Sequence, residues 1–394
     1  QYFYPENFRI NDICIGLKEQ GHSVSVLTAK PNYPKGKFYE GYNFFNKSKE
    51  IYQDIEIYRS PIIPRGTGTG IKLFINYISF VIFGILRVLF LNKKFDKVFV
   101  YAPSPITVGY IGIIASMKFR AKSYLWVHDL WPESVKDAGG INNKSILFLI
   151  DLMTRSIYWF YNTILVQSPY FKDYILKQRV SENKIIYYPY YAENFYKVVK
   201  PKKEIKSLFA DTLNIVFAGN IGVAQSFDTI IDAAIILKKT LSNFTFIIIG
   251  DGRDKKRVVD RINKLSMSDN FIFLGSYPPT DMSDFFACAD ALLVSLKDTE
   301  IFSLTIPGKL QSYLACGKPI IASLNGIGAK IIVESKSGLV SKSEDSKGLA
   351  DSIIKFSNLN DSERKQYGLN ARDYFEKEFE RIRLLNRLID IFEK

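Results

Sequence analysis

Residues 298–323 read DTEIFSLTIPGKLQSYLACGKPIIAS. The stretch reads as a loop, then a helix start, then a short apolar strand. Pro307 suits the first helical turn, where its fixed φ fits and no N–H is needed, and Thr305 before it reads as an N-cap. Leu310, Tyr313 and Leu314 share one helical face, Cys316-Gly317 ends the helix, and residues 319–322 (PIIA) are the strand. A helix start with free amides, the Thr305 hydroxyl and the Lys309 ammonium suits a diphosphate or a sugar. The same pattern also fits a capped surface helix of any α/β domain, so the neighbouring loops decide.

Those loops lie at regular intervals through the carboxyl-terminal half. A strand at 214–218 runs into Gly219-Asn220-Ile221-Gly222, with a helix beginning near Gln225. A strand at 245–249 ends in Gly250-Asp251-Gly252, followed by a helix carrying Lys255, Lys256 and Arg257. A strand at 271–274 turns through Gly275, Tyr277 and Pro279, a strand at 291–295 leads into the opening stretch, and 338–340 is a last strand. Strand–helix alternation of this kind predicts a doubly wound parallel sheet with right-handed crossovers. Glycines at strand ends let the backbone approach a phosphate closely. Ends at 219, 250 and 305 converging on one edge point to a nucleotide-type ligand.

The amino-terminal half alternates in the same way. Ile10, Ile13, Cys14 and Leu17 stripe a first helix, 23–27 is a strand, 31–39 a turn-rich loop and 51–60 a hairpin or edge strand. The chain opens at Gln1 and enters a helix almost at once, so a first strand is expected upstream. Residues 121–127 form a strand that runs into His128-Asp129-Leu130-Trp131-Pro132. A His–Asp pair beyond the carboxyl end of a parallel strand stands where open α/β sheets bind ligands. Residues 192–203 read as a linker, and 361–394 as a charged helical tail, broken near Tyr374, that packs back on the first domain.

Residues 70–91, GIKLFINYISFVIFGILRVLFL, are the most apolar run. Lys72, Asn76 and Arg87 interrupt it and Lys93-Lys94 follow, which argues against a spanning helix. Two readings stay open: a helix packed on a sheet, or one lying in a membrane interface. The aromatic helix at 145–161 reads as core packing. The composition, 47% hydrophobic and 24% charged over 394 residues, is that of a two-domain globular chain. A net charge of +13 fits an anionic membrane face or phosphorylated small molecules. Nucleic acid is not expected as a partner, because no basic block, zinc spacing or RNA-binding aromatic signature accompanies the charge. Cys14, Cys288 and Cys316 have no paired spacing and read as small core residues in a reducing compartment.

YPENFRIND (4–12), PNYPKGKFYEGY (31–42), VHDLWPES (127–134), AGNIGVAQ (218–225), GDG (250–252), FLGSYPP (273–279) and TIPGKLQSYLACGKPII (305–321) together carry a resemblance that spans nearly the whole chain. The chain resembles retaining glycosyltransferases of family 4 with the GT-B fold. Within them it is most similar to bacterial enzymes of O-antigen, capsule and colanic acid assembly, including L-fucosamine transferases. The resemblance implies an α/β chain of two Rossmann-like, doubly wound parallel-sheet domains facing a cleft, at 1–195 and 205–372, with a helix at 373–394 returning to the first.

It further implies a nucleotide-sugar donor, with UDP as the expected nucleotide and an N-acetyl-L-fucosamine-like sugar as a candidate. Gly219, Asn220 and Gly222 would face its diphosphate, Asp251, Gly252 and Tyr277 would lie near its base and ribose, and Gln225 is a further donor-binding position. Thr305, Pro307 and Lys309 would hold phosphate and sugar, Ser312 is a further donor-binding position, His128 would contact and orient the donor sugar, and His128, Asp129 and Lys309 are the catalytic candidates. No metal and no cofactor are expected. The acceptor implied is a lipid-diphosphate-linked saccharide, used by a cytoplasmic enzyme peripheral to the inner face of the bacterial membrane. Two departures stand out. Ser312 and Leu304 occupy positions where many members carry paired glutamates, with Glu300 close by in sequence but out of step, and Gln225 stands where a basic residue is common. A nucleotide-sugar 2-epimerase and a non-catalytic nucleotide-sugar-binding scaffold are the competing readings.

Overall fold

The computed structural model describes residues 1–68, 70–241 and 243–394. The chain divides into two compact units, residues 1–188 with 385–394, and residues 189–384. The helices and strands of the first unit are α1 (Arg9–Glu19), β1 (Ser25–Ala29), β2 (Lys49–Tyr52), β3 (Ile55–Ser60), α2 (Gly70–Leu89), β4 (Lys97–Ala102), α3 (Gly109–Phe119), β5 (Lys122–Val127), α4 (Glu133–Gly139), α5 (Lys144–Phe160), β6 (Thr163–Val166), α6 (Pro169–Lys177) and β7 (Ile185–Tyr187). The second unit continues with α7 (Lys203–Lys206), β8 (Leu213–Ala218), α8 (Phe227–Leu237), β9 (Phe244–Ile249), α9 (Lys255–Lys264), β10 (Phe271–Gly275), α10 (Met282–Ala287), β11 (Ala291–Ser295), α11 (Glu300–Leu304), α12 (Gly308–Ala315), β12 (Ile320–Ser323), α13 (Gly326–Glu334), β13 (Gly338–Ser341), α14 (Ser346–Ser357) and α15 (Asp361–Glu378). A last helix, α16 (Arg381–Glu393), leaves the second unit and ends in the first.

The second unit holds one six-stranded sheet in the order β10-β9-β8-β11-β12-β13, with every pairing parallel. Its central strands are apolar on both faces, as strands covered by helices on both sides must be. All six residues of β9 (FTFIII) are buried, and so are all five of β11. The chain winds outward from β8 through β9 to β10, then restarts on the other side at β11. That reversal leaves a crevice at the carboxyl ends of β8 and β11, the switch point where open α/β sheets take ligands.

The first unit carries two sheets rather than one. β1 lies parallel to β3, and β2 pairs antiparallel on β3's other side. β4, β5, β6 and β7 make a four-stranded parallel sheet. The Lys30 amide donates across to Ser60 on β3, so the preceding amide, Ala29, points to the open edge of β1. There it donates to the Gln1 carbonyl at 3.1 Å. α3 rides close on its sheet, because a Cβ at Gly112 would meet Tyr161 Oη at 2.2 Å and Val100 at 2.3 Å. The Tyr161 hydroxyl donates to the Gly109 carbonyl at 2.7 Å and fixes that approach.

Two helices are apolar on the outside as well as the inside. α2 buries Asn76, Ser79, Phe80, Gly84 and Val88 but exposes Ile71, Phe74, Ile78, Ile82, Leu86 and Leu89 at helical spacing. By length and composition it could cross a bilayer, and 28% of its most apolar window is buried. α5 corrects the expectation of core packing. Thr154, Ile157 and Tyr158 face inward, while Phe148, Leu149, Leu152 and Trp159 (69% exposed) face out. Aromatic content alone could not separate an inward face from an outward one.

The return to the first unit begins at Leu385, later than the expected residue 373. α15 stays with the second unit because Arg372 Nη1 donates to the Ala315 carbonyl at 2.7 Å and Gly368 abuts the Gly317 carbonyl. The break falls at Phe379, between α15 and α16, not near Tyr374. Beyond it Arg387 donates to the Tyr187 carbonyl, and Phe392 packs its ring on Tyr124 at 4.8 Å.

Candidate functional site

Three strand-to-helix corners of the second unit are joined by their own backbones. The amide of Gly219, just after β8, donates to the Ile249 carbonyl at 2.8 Å, and the Gly250 amide donates to the Gly275 carbonyl at 2.7 Å. The Ile221 amide donates to the Asp251 carbonyl at 2.8 Å, and the Asp254 amide returns to the Ile221 carbonyl at 3.1 Å. The glycines are required by this proximity. A Cβ at Gly250, where φ is +140°, would lie 1.9 Å from the Gly219 carbonyl oxygen, and one at Gly252 would lie 2.1 Å from that of Ile221. Gln225 holds the loop from inside, its Oε1 accepting from the Gly222 amide at 3.1 Å and lying 3.5 Å from Asn220 Nδ2. No basic residue is needed at Gln225 for that task.

α12 joins the same place from the far side of the switch point. The Ala218 amide donates to the Tyr313 hydroxyl at 3.1 Å, which ties the helix to the end of β8. One turn earlier Lys309 lays its Nζ over the Phe217 ring, 3.8 Å from its centroid and 3.4 Å from where a Gly219 Cβ would stand. Lys309 Nζ is shielded from solvent and has no hydrogen-bond partner among the described residues. Burial pulls its pKa from 10.5 down to about 7. An ammonium at a glycine corner, with no carboxylate paired to it among the described residues, is complementary to an anion.

The start of α12 differs from the expectation. Pro307 is the extended N-cap (φ −63°, ψ 128°) and the helix begins at Gly308. Thr305 is not a cap for it. Thr305 closes α11, a one-turn helix the sequence reading took as loop, and its hydroxyl donates back to the Ile301 carbonyl at 2.8 Å. The cap of α11 is Thr299, whose Oγ1 accepts from the Phe302 amide. Ser312 is buried within α12. Asp251 is exposed and accepts from the Gly252 amide at 2.7 Å, and Tyr277 is exposed with its ring 4.5 Å from Phe285. Gly219, Asn220, Gly222, Gln225, Gly252 and Lys309 are therefore brought together. Tyr277 lies one step out, after the β10 corner. Tyr313 and Phe217 were missed as site residues. The spacing of Tyr313, four residues after Lys309 on one helical face, was the available signal.

The His128–Asp129 pair stands at the carboxyl end of β5 in the first unit. The His128 amide extends the ladder to the Ala102 carbonyl at 3.2 Å, and its carbonyl accepts from Gln167 Nε2 at 3.1 Å. Its ring is buried 4.2 Å from Trp126 and 4.6 Å from Tyr101. Burial, then the charge of Arg9, hold its pKa well below 6.5, so it is a neutral imidazole. Burial raises Asp129 to about 6, against the opposing hydrogen bond from Ser104. No group of three or more His, Cys, Asp or Glu among the described residues could hold a metal ion.

The buried ammonium predicts a pH effect on stability. Between about 7 and 10.5 the unfolded chain binds the Lys309 proton and the folded chain does not, so this group's contribution to stability rises with pH. Lys309→Met is expected to melt at least about 2 °C above wild type at pH 6, with the gap closing towards pH 10. Thermal melts across that range check it, and parallel curves for the two proteins would contradict it.

Residues 199–374 match the family model of Glycosyl transferases group 1. The chain is 26% identical to an uncharacterized glycosyltransferase of Methanocaldococcus jannaschii, over 95% of this chain and 91% of that one. It is 24% identical to the alpha-monoglucosyldiacylglycerol synthase of Acholeplasma laidlawii, over 82% and 78%. Among solved structures it is similar to the sucrose-phosphate synthase of Thermosynechococcus elongatus (TM-score 0.72, 15% identity, 98% of this chain and 93% of that one). HepE of Anabaena in complex with UDP aligns at 0.66 (13% identity, 94% and 99%). WaaG, a glycosyltransferase involved in lipopolysaccharide biosynthesis, aligns at 0.65 (16% identity, 96% and 94%). The fold is GT-B, and the family model with the relatives supports a place for this chain among the group 1 glycosyltransferases.

Proposed function

We propose that the chain transfers a sugar from a nucleoside-diphosphate sugar to a lipid-linked saccharide, with retention of configuration. The donor in this reading is UDP-linked, an N-acetyl-L-fucosamine-like sugar is a candidate, and the role is bacterial surface polysaccharide synthesis. The observation that carries the reading is the buried, unpaired Lys309 ammonium at the knitted glycine corners. HepE, which shares the fold, is seen with UDP. Of the similar proteins, one is an alpha-monoglucosyldiacylglycerol synthase and another, WaaG, is involved in lipopolysaccharide biosynthesis.

In this mechanism the donor diphosphate lies on the Gly219 corner and Lys309. The bond from the sugar carbon to the phosphate oxygen breaks, and the acceptor oxygen bonds to that carbon on the same face. The acceptor's proton passes to the departing phosphate oxygen. Lys309 and the nearby backbone dipoles stabilise the charge growing on the leaving group, a task worth about 3 kcal/mol per lost donor. His128, neutral and fixed between Trp126 and Tyr101, orients the sugar rather than attacking it. Asp129 accepts from a sugar hydroxyl in this reading. No metal or cofactor is invoked.

Incubation with a panel of nucleotide sugars tests this. Nucleoside diphosphate released only when acceptor is present identifies a transferase, an epimerised donor an epimerase, and binding without turnover a scaffold. Lys309→Ala and His128→Ala are each expected to lower turnover at least about tenfold with the fold intact. Near-wild-type turnover in either would remove that residue from the mechanism.

The same reading places the enzyme at the inner face of the bacterial membrane. The exposed stripe of α2 and the outward face of α5 are its apolar support. The first unit has 26 lysines and arginines against 16 aspartates and glutamates, so it carries most of the excess positive charge. Apolar stripes bordered by cations favour an anionic lipid surface. In a detergent-free flotation assay with phosphatidylglycerol vesicles the protein should rise with lipid, and Phe74→Glu with Ile78→Glu should reduce the floated fraction. Complete retention of wild type in the soluble fraction would count against membrane association.

A further inference from the structure

Arg65 stands in the loop that leads from β3 into α2. Its backbone amide donates to Asn32 Oδ1 at 3.2 Å, its guanidinium lies 4.9 Å from the Tyr33 ring centroid, and its Nη1 reaches the Tyr2 hydroxyl at 3.4 Å. No carboxylate pairs with it among the described residues. Each anchor is itself fixed. The Glu6 carboxylate accepts from the amides of Asn32 and Tyr33 at 2.8 and 2.7 Å, and the Tyr2 ring stacks on Phe8 at 4.7 Å. Asn32 Oδ1 also lies 3.5 Å from Asn76 Nδ2 on α2, and that amide donates onward to the Ile63 carbonyl. A guanidinium resting near an aromatic ring with no carboxylate partner has N–H groups to offer a ligand, and its fork matches phosphate oxygens.

The surroundings say what such a ligand carries. Downstream of Arg65, α2 begins with Ile71, Phe74, Ile75 and Ile78 all exposed on one stripe. On the other side Tyr77 lies near Arg65, Ser104 and Asp129: burial raises its phenol, Arg65 and then Ser104 oppose the rise, and Asp129 adds to it. An apolar stripe, an unpaired guanidinium and a buried carboxyl–hydroxyl group thus lie in one neighbourhood. Those are the chemistries of a lipid tail, a phosphate and a sugar hydroxyl. We infer that Arg65 binds the phosphate linkage of the acceptor lipid, with the chain of the lipid running along the exposed stripe of α2 and its saccharide towards Asp129. This rests on the reading of the acceptor as lipid-linked and adds the residues that would recognise it.

Binding to the full chain is measured with farnesyl diphosphate, with farnesol as the uncharged tail and UDP as the donor-site probe. Wild type should bind farnesyl diphosphate at least tenfold more tightly than farnesol. Arg65→Gln should abolish that preference while leaving farnesol and UDP affinities within twofold of wild type. Arg65→Lys should fall between, since a point charge replaces the fork. Wild-type affinity in Arg65→Gln, or displacement of farnesyl diphosphate by UDP, would overturn the assignment. If Arg65→Gln melts well below wild type, unchanged farnesyl diphosphate affinity in both Arg65→Lys and Tyr33→Leu overturns it instead. A bilayer headgroup offers the same phosphate, so the variants are also floated with phosphatidylglycerol vesicles. Unchanged flotation supports the acceptor linkage, whereas lost flotation with intact farnesyl diphosphate affinity overturns it in favour of the headgroup. Farnesyl diphosphate binding through Arg65 in a chain that turns over no nucleotide sugar would overturn the transferase reading and leave this site standing.

Discussion

Taking an ammonium out of water without a counter-charge costs on the order of several kcal/mol, and the second unit holds Lys309 in that state. Two features partly offset the cost. The face of Phe217 lies 3.8 Å below the charge, and the proton itself is bound weakly. The rest of the unit is arranged around keeping that geometry. Tyr313 clamps α12 to the end of β8, the Gly219 corner passes beneath Nζ without a side chain, and Gly250 and Gly252 let the next corner lie against its backbone. The arrangement is complementary to an anion, and in the proposed reaction that anion is the diphosphate leaving group.

Much of this was legible in the sequence because parallel sheets leave a plain trace. β8, β9 and β11 are near-continuous apolar runs that end in glycine or a turn, and the reversal at β11 follows from the order of crossovers. Lys309 could be singled out because it follows a proline at a helix start. What could not be read was which polar groups are already satisfied. Thr305 looks like a cap, but its hydroxyl turns back to Ile301, and Gln225 looks like a lost cation, but it staples Gly222. Both depend on partners chosen only after the loops close. Tyr313 was legible only as an apolar-face residue, because its hydroxyl's role depends on the distance of α12 from β8.

The first unit illustrates a different limit. A periodic apolar helix announces an amphipathic element, but α2 and α5 are apolar on more than one face, and periodicity cannot say which face is covered. The structure assigns the inner faces and leaves Phe74 and Trp159 more than half exposed. Exposed aromatic and aliphatic stripes of that extent are uncommon on monomeric soluble proteins and mark interaction surfaces. The excess cations of the same unit give the surface a sign. His128, by contrast, is deeply buried and neutral, a fixed imidazole at the end of β5.

The central claim is that a diphosphate completes the charge of Lys309. Calorimetric titration of UDP at pH 8, in two buffers of different ionisation enthalpy, tests it most directly. With Lys309 held near 7 in the free protein, the account predicts net uptake of close to one proton on binding, lost in Lys309→Met together with most of the affinity. Binding with no proton uptake, or with equal affinity in Lys309→Met, would contradict it.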